Sequence, residues 1–235
     1  MDRSTPGTDR PIVVLARLVI LLILCAGNNR GACAEETARW QAALAGMPLP
    51  APAPLLNREN VVCVILEAFR SNDLVRAMIV LPGVLNDFYL IHRDQPKLNL
   101  RASNVLEAVI ALTNATELRA TFQAPFLLLH LAEDRLQPRF VIQDPASLRR
   151  LESEHHLPHL LYCDAHWGRL QPDLRVSLRR KFRPEAQSTD AWHFERHNLA
   201  GWGLSDWEVL VAVSLASATS FRVEKQAILF QARAR

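Results

Sequence analysis

Six residues of a thirteen-residue window recur 103 positions further on. Leu112, Ala115, Thr116, Arg119, Gln123 and Ala124 are matched by Leu215, Ala218, Thr219, Arg222, Gln226 and Ala227, and Leu118 is matched by Phe221. Self-similarity at a fixed offset implies one small supersecondary unit used twice. A unit that alternates strand with amphipathic helix limits the fold to α+β or α/β architectures. The first copy lies in residues 97–131. There an alternating strand is followed by Ser103-Asn104, by a helical stripe of Leu106, Val109, Ile110 and Leu112, and by a hairpin turning at Gln123-Ala124. Short polar side chains such as Asn104 accept the unpaired N–H groups of a helix start.

Taken in order, the segments predict β-α-β-β-α-β-β for the first half. Val61 to Phe69 is apolar and β-branched and reads as a strand. Ser71-Asn72-Asp73 reads as a helix start, and Leu74, Ala77, Met78 and Leu81 fall on one helical face. Pro82-Gly83 ends that helix, and residues 87–92 read as a strand. The second half repeats the order more loosely. Residues 139–143 and 160–163 read as strands, and Asp144-Pro145 opens a short helix. Ser205-Asp206 caps a helix over 207–218, and 221–230 form a closing hairpin. The expected fold class is α+β, as two related small βαβ-type units with helices on mixed sheets. The domain boundaries are 1–34, 35–60, 61–137 and 138–235.

The first of these segments is an address. Arg3 and Arg10 precede an apolar run whose uninterrupted part, Leu18 to Ala26, is far shorter than the roughly 20 residues that span a bilayer. Ala32-Cys33-Ala34 follows as a small-residue cleavage pattern. The combination predicts a secretory signal peptide over 1–34 and a periplasmic or secreted protein. The competing reading is an uncleaved N-terminal anchor, and membrane contact is expected only through that segment. Without residues 1–34 the chain keeps 23 basic and 22 acidic side chains. So balanced a charge gives no reason to expect nucleic acid as a partner. Residues 35–46 predict a short helix with Trp40 and Leu44 on one face. Four prolines in residues 47–56 predict an extended, semi-rigid spacer.

Residues 61–131 resemble the short N-terminal domain of secretins and TonB-dependent outer-membrane receptors. Asp73-Leu74-Val75-Arg76-Ala77 with Leu81 fits that domain's first helix, and Val105-Leu106-Glu107-Ala108 with Leu112 fits its second. Ala115-Thr116-x-Leu118 stands where the family turns into a strand, and Pro125 to His130 fits its last strand. A weaker partial repeat covers about 190–232. No long β-barrel sequence follows, so the resemblance implies a free-standing envelope module that docks a protein partner and has no catalytic residues. The expectation is therefore an exported, non-enzymatic interaction protein.

The residues with ligand chemistry are few. His155, His159, Cys163 and His166 would share a face if their segment were one helix, and imidazole and thiolate suit Zn or Cu. An extracytoplasmic metal-binding protein is the alternative function, although Pro158 interrupts the helix. His193 and His197 show the same spacing around Glu195, without the order of a zinc-protease helix. Once the leader is removed, Cys63 and Cys163 are the remaining cysteines, and in an oxidising compartment two cysteines can pair. Two buried thiols is the other reading. Arg175, Arg179, Arg180, Lys181 and Arg183 form the one basic run, and Trp192, Trp202 and Trp207 cluster around Gly201 and Gly203. Core packing or a partner-binding face would each account for those tryptophans. No phosphate-binding loop, dinucleotide fingerprint or serine nucleophile elbow is present.

Overall fold

The computed structural model describes residues 30–50, 56, 61–81, 101–132, 136–165, 169, 174, 183–186, 197–217, 219–224 and 227–232. Residues 40–235 form one compact unit. Helix α1 spans Arg30–Ala45 and runs through the predicted cleavage pattern at 32–34. The rest of the predicted leader, the strand at 87–92 and Trp192 lie outside the described residues. Among the described residues no helix is long and apolar enough to cross a membrane.

Two mixed sheets organise the α+β fold. The first has five strands in the order β2-β3-β1-β7-β5, the second four in the order β4-β8-β9-β6. In the first sheet, β2 (Arg119–Gln123) and β3 (Phe126–His130) form a hairpin, and β1 (Ala77–Val80) runs parallel to β3. Strands β7 (His197–Trp202) and β5 (His159–Ala165) complete it, both antiparallel to their neighbours. In the second sheet, β8 (Thr219–Val223) and β9 (Ala227–Ala232) form the hairpin. Strand β6 (Arg183–Ala186) lies parallel to β9, and β4 (Arg139–Ile142) parallel to β8.

Two segments exchange the types expected for them. Residues 61–68 are helix α2 (Val61–Ala68), and 77–80 are the buried strand β1. Both are short continuous apolar runs, for which helical and strand periodicities fit equally well. The side chain of Asn72 decides the second case. Its Oδ1 accepts the N–H groups of Leu74 and Val75 at 2.9 and 2.8 Å, making a turn that launches an extended strand. Buried on both faces, β1 is apolar throughout, as central strands are. The spacer is also absent where it is described. Met47, Leu49 and Leu56 are buried, and Leu49 N–H donates to the Ser103 carbonyl at 3.0 Å. Apolar side chains between the prolines give that segment something to bury.

The repeat is real as architecture, but its register differs from that of the identities. Helix α3 (Val105–Ala115) leads into β2-β3, and helix α5 (Asp206–Ala216) leads into β8-β9. Each hairpin's second strand pairs in parallel with a strand preceding the helix, β1 in one copy and β6 in the other. The helix ends correspond at an offset of 101. Asn104 and Ser205 are the N-caps, each accepting the N–H of a glutamate three residues on, Glu107 and Glu208. Thr116 and Ser217 close the helices by donating to the carbonyls of Leu112 and Val213, both at 2.6 Å. The identities at offset 103 therefore fall on non-equivalent positions: Arg119 opens β2, whereas Arg222 is the fourth residue of β8.

The boundary at 137/138 is not a boundary between sheets. Strands β5 and β7 come from the second half yet extend the sheet of the first. Alternation along the strands then serves two cores. Ala77 and Ile79 of β1 and Phe126 and Leu128 of β3 face α5 and the second sheet. Met78, Val80, Leu127 and Leu129 face α1, α2 and α3. The layers run helices, five-stranded sheet, α5, four-stranded sheet. Helix α4 (Pro145–Ser153), capped by Asp144, packs beside α5.

Candidate functional site

Among the described residues, the predicted metal ligands His155, His159 and Cys163 do not gather into a ligand group. His155 and His159 are exposed, Cys163 is half-buried, and His166 lies outside the described residues. His159 and Cys163 share a face of β5, but four residues of strand span about 13 Å. His159 stacks on the ring of Trp202, and Cys163 faces helix α2. His197 is fully buried, its Nδ1 3.4 Å from the Ala216 carbonyl, and His193 lies outside the described residues. Arg183 lies in β6; the remainder of the basic run is also outside them.

Another histidine takes the position the sequence did not single out. The Nδ1 of His156 is 2.5 Å from Asp206 Oδ2, and its Nε2 is 3.7 Å from Glu154 Oε2. The backbone reinforces the cluster. His156 N–H donates to Asp206 Oδ1 at 3.2 Å, and Asp206 N–H donates to the Glu154 carbonyl at 2.8 Å. Asp206, at the first turn of α5, is 1% exposed, and a buried carboxylate needs such partners. One ligand atom from each residue lies within 4.8 Å of the others, a spacing that could hold a cation. With a carboxylate against each ring nitrogen, however, the imidazole already joins the two acids. The arrangement ties the chain after α4 to the start of α5. The sequence showed Ser205-Asp206 as a helix start, with no sign that Asp206 reaches back fifty residues.

On the far face of the first sheet, Trp202 forms a second constellation. It ends β7, where two glycines shape the chain. A Cβ on Gly201 would lie 2.9 Å from Leu204 Cδ1 and 3.0 Å from Ala77 Cβ, so the close approach of β7 to β1 requires glycine. Gly203 turns the chain with φ +60°. The indole of Trp202 is partly buried, with centroids of Phe69 at 5.7 Å and His159 at 6.3 Å. The Arg70 guanidinium sits 5.5 Å over it. Arg70 is itself fixed, donating to the Glu67 and Phe69 carbonyls at 2.6 and 2.7 Å as α2 ends. Arg76 donates to the Gly203 carbonyl at 3.0 Å and pairs with Glu208. The result is an aromatic ring packed on two sides and covered by one guanidinium. Trp207, by contrast, is buried against Phe140 and Phe221 as core.

Between these walls lie the two cysteines. The Sγ of Cys163 is 3.8 Å from the carbonyl oxygen of Cys63, across the α2–β5 contact. Both sulfurs are thiols in this structure. The Cys163 thiol is held well above the ordinary cysteine range, first by its hydrogen bond with the Cys63 thiol and then by burial. Negative charge on Cys63 and Glu67 adds to the rise, and Arg169 opposes it. The pairing of these positions was one of the sequence's two open readings, and nothing in the spacing could place them in contact.

Comparison with protein-family models, with curated proteins and with solved structures finds no match. The functional reading therefore rests on the geometry of this chain.

Proposed function

We propose that this protein is an exported, non-enzymatic docking module of the cell envelope that engages a protein partner through the Trp202 face. The observation that carries the reading is the partly exposed Trp202, packed by Phe69 and His159 beneath Arg70. Tryptophan and arginine dominate binding energy at protein interfaces, because a rigid ring buries much area at little entropic cost. Here both are ordered before any partner arrives, which lowers the cost of binding. Arg70 and His159 against the ring fit a partner that presents an apolar side chain beside a carboxylate. Export rests on the leader read in residues 1–34. The resemblance to short N-terminal domains lends less, because residues 61–68 and 77–80 form element types opposite to those expected from it.

The test begins with photo-crosslinking from position 159, beside the ring, in the envelope of intact cells. The crosslinked protein is then purified and its affinity measured for the wild type, Trp202→Ala and Arg70→Ala. Loss of at least about tenfold on Trp202→Ala, measured at a temperature where every variant is folded, is expected of a central interface residue. Equal affinity for all three chains would refute the docking role of this face.

A further inference from the structure

We propose that Cys63 and Cys163 close into a disulfide that joins helix α2 to strand β5. Two observations converge on it. The Sγ of Cys163 lies 3.8 Å from a backbone atom of Cys63, which brings it within reach of that residue's side chain. Both are half-buried, on elements that pack directly against each other. A disulfide needs the two Cα atoms within about 7 Å, and contact between one sulfur and the other residue's backbone is compatible with that separation.

The chemistry needs a disulfide-class oxidant, such as a thiol oxidoreductase in its oxidised form or a small-molecule disulfide. One protein thiolate attacks a sulfur of that disulfide and releases its first thiol, leaving a mixed disulfide on the protein. The second cysteine loses its proton, displaces the second thiol and forms the Cys63–Cys163 bond. Two S–H bonds are lost and one S–S bond is formed, and the two released thiols carry away both protons and both electrons. The neighbouring thiol and burial push the Cys163 pKa up, so ring closure should quicken as pH rises.

The position gives the bond a purpose. Helix α2 leads directly into Phe69 and Arg70, and β5 opens with His159. These are the walls of the Trp202 face, so the bond would fasten one wall to the other. That effect rests on the docking reading, whereas formation of the bond does not.

The experiment uses the full chain, purified reduced and folded, then treated with oxidised glutathione under native conditions. Peptide mapping without reductant identifies which of Cys25, Cys33, Cys63 and Cys163 are joined, and a maleimide marks every remaining thiol. The expected product is a monomer in which the Cys63 and Cys163 peptides are linked and unlabelled until reduced. Separate glutathione adducts on the two cysteines, a link from either to Cys25 or Cys33, or full maleimide labelling after oxidation would overturn the proposal. The wild-type map stands whether or not Cys63→Ser and Cys163→Ser fold. Partner affinity of the oxidised and reduced chains then tests the fastening of the face. A linked chain with unchanged affinity would leave the bond established and remove its proposed effect on docking.

Discussion

The two copies of the β-α-β-β unit share their chemistry at the helix ends and differ in what surrounds them. Helix α3 buries one stripe, Val105, Ala108, Val109 and Leu112, and leaves Ile110 44% exposed. Helix α5 buries every residue except Glu208, because the second copy is enclosed between the two sheets. Equivalent caps, Asn104 and Ser205, therefore start one surface helix and one interior helix. Local sequence sets where a helix begins and ends, while burial depends on which layer the helix occupies.

The sharpest way to break the comparison is at the equivalent positions Ile110 and Val211. Val211 is 7% exposed. Val211→Asp would leave an uncompensated charge in the interior and should cost about 3–5 kcal/mol. Ile110→Asp, on the open face of α3, should change stability by about 0.5 kcal/mol or less. Urea unfolding of the two variants separates them; similar losses would show that α3 is covered as fully as α5.

The caps form the next tier. Ser205→Ala should cost about 1–2 kcal/mol and Asn104→Ala about 0.5–1 kcal/mol, measured as shifts in the unfolding midpoint. The larger figure belongs to Ser205 because it is 5% exposed and water cannot replace its bond to the Glu208 N–H. Equal costs would mean that the enclosure of α5 does not reach its first turn.

The smallest effect concerns acid. The pKa of Glu107 is lowered by the backbone N–H of Ser103, which donates at 2.7 Å, and next by the Ser103 hydroxyl. Desolvation opposes this shift, and Asn104 adds to it. The folded chain thus holds the charged form more tightly than the unfolded chain does. The resulting stability is complete above the ordinary carboxylate range and is lost as pH falls through the lowered value. Glu107→Gln should be less stable than the wild type at neutral pH, with the gap closing in acid. A pH-independent gap would assign the effect to geometry rather than charge.

These contrasts also explain how far the sequence could be read. The α+β class, the caps at Asn104, Asp144 and Ser205, and both closing hairpins rest on local chemistry, and they stand as read. Residues 61–68 and 77–80 were misread because an unbroken apolar run has no period to distinguish helix from strand. Matching by identity favoured an offset of 103, whereas the caps place the units 101 apart, since a cap position accepts Asn or Ser equally. The site was less legible. The His-rich segment drew attention to His155 and His159, yet the buried imidazole is His156, selected by a carboxylate fifty residues away. Trp202 and Trp207 lie five residues apart, and nothing local shows that one is partly exposed and the other core. The contact of Cys63 with Cys163 depends on a sheet assembled from both halves.

That shared sheet has a consequence for the order of synthesis. Strand β1 ends at residue 80, but its antiparallel neighbour β7 begins at 197. At 5–20 residues per second, β1 would wait roughly 6–25 seconds for that neighbour to be made. Until then the growing chain carries β1 with one edge unpaired, and an open edge of four apolar residues is a place where another strand can add.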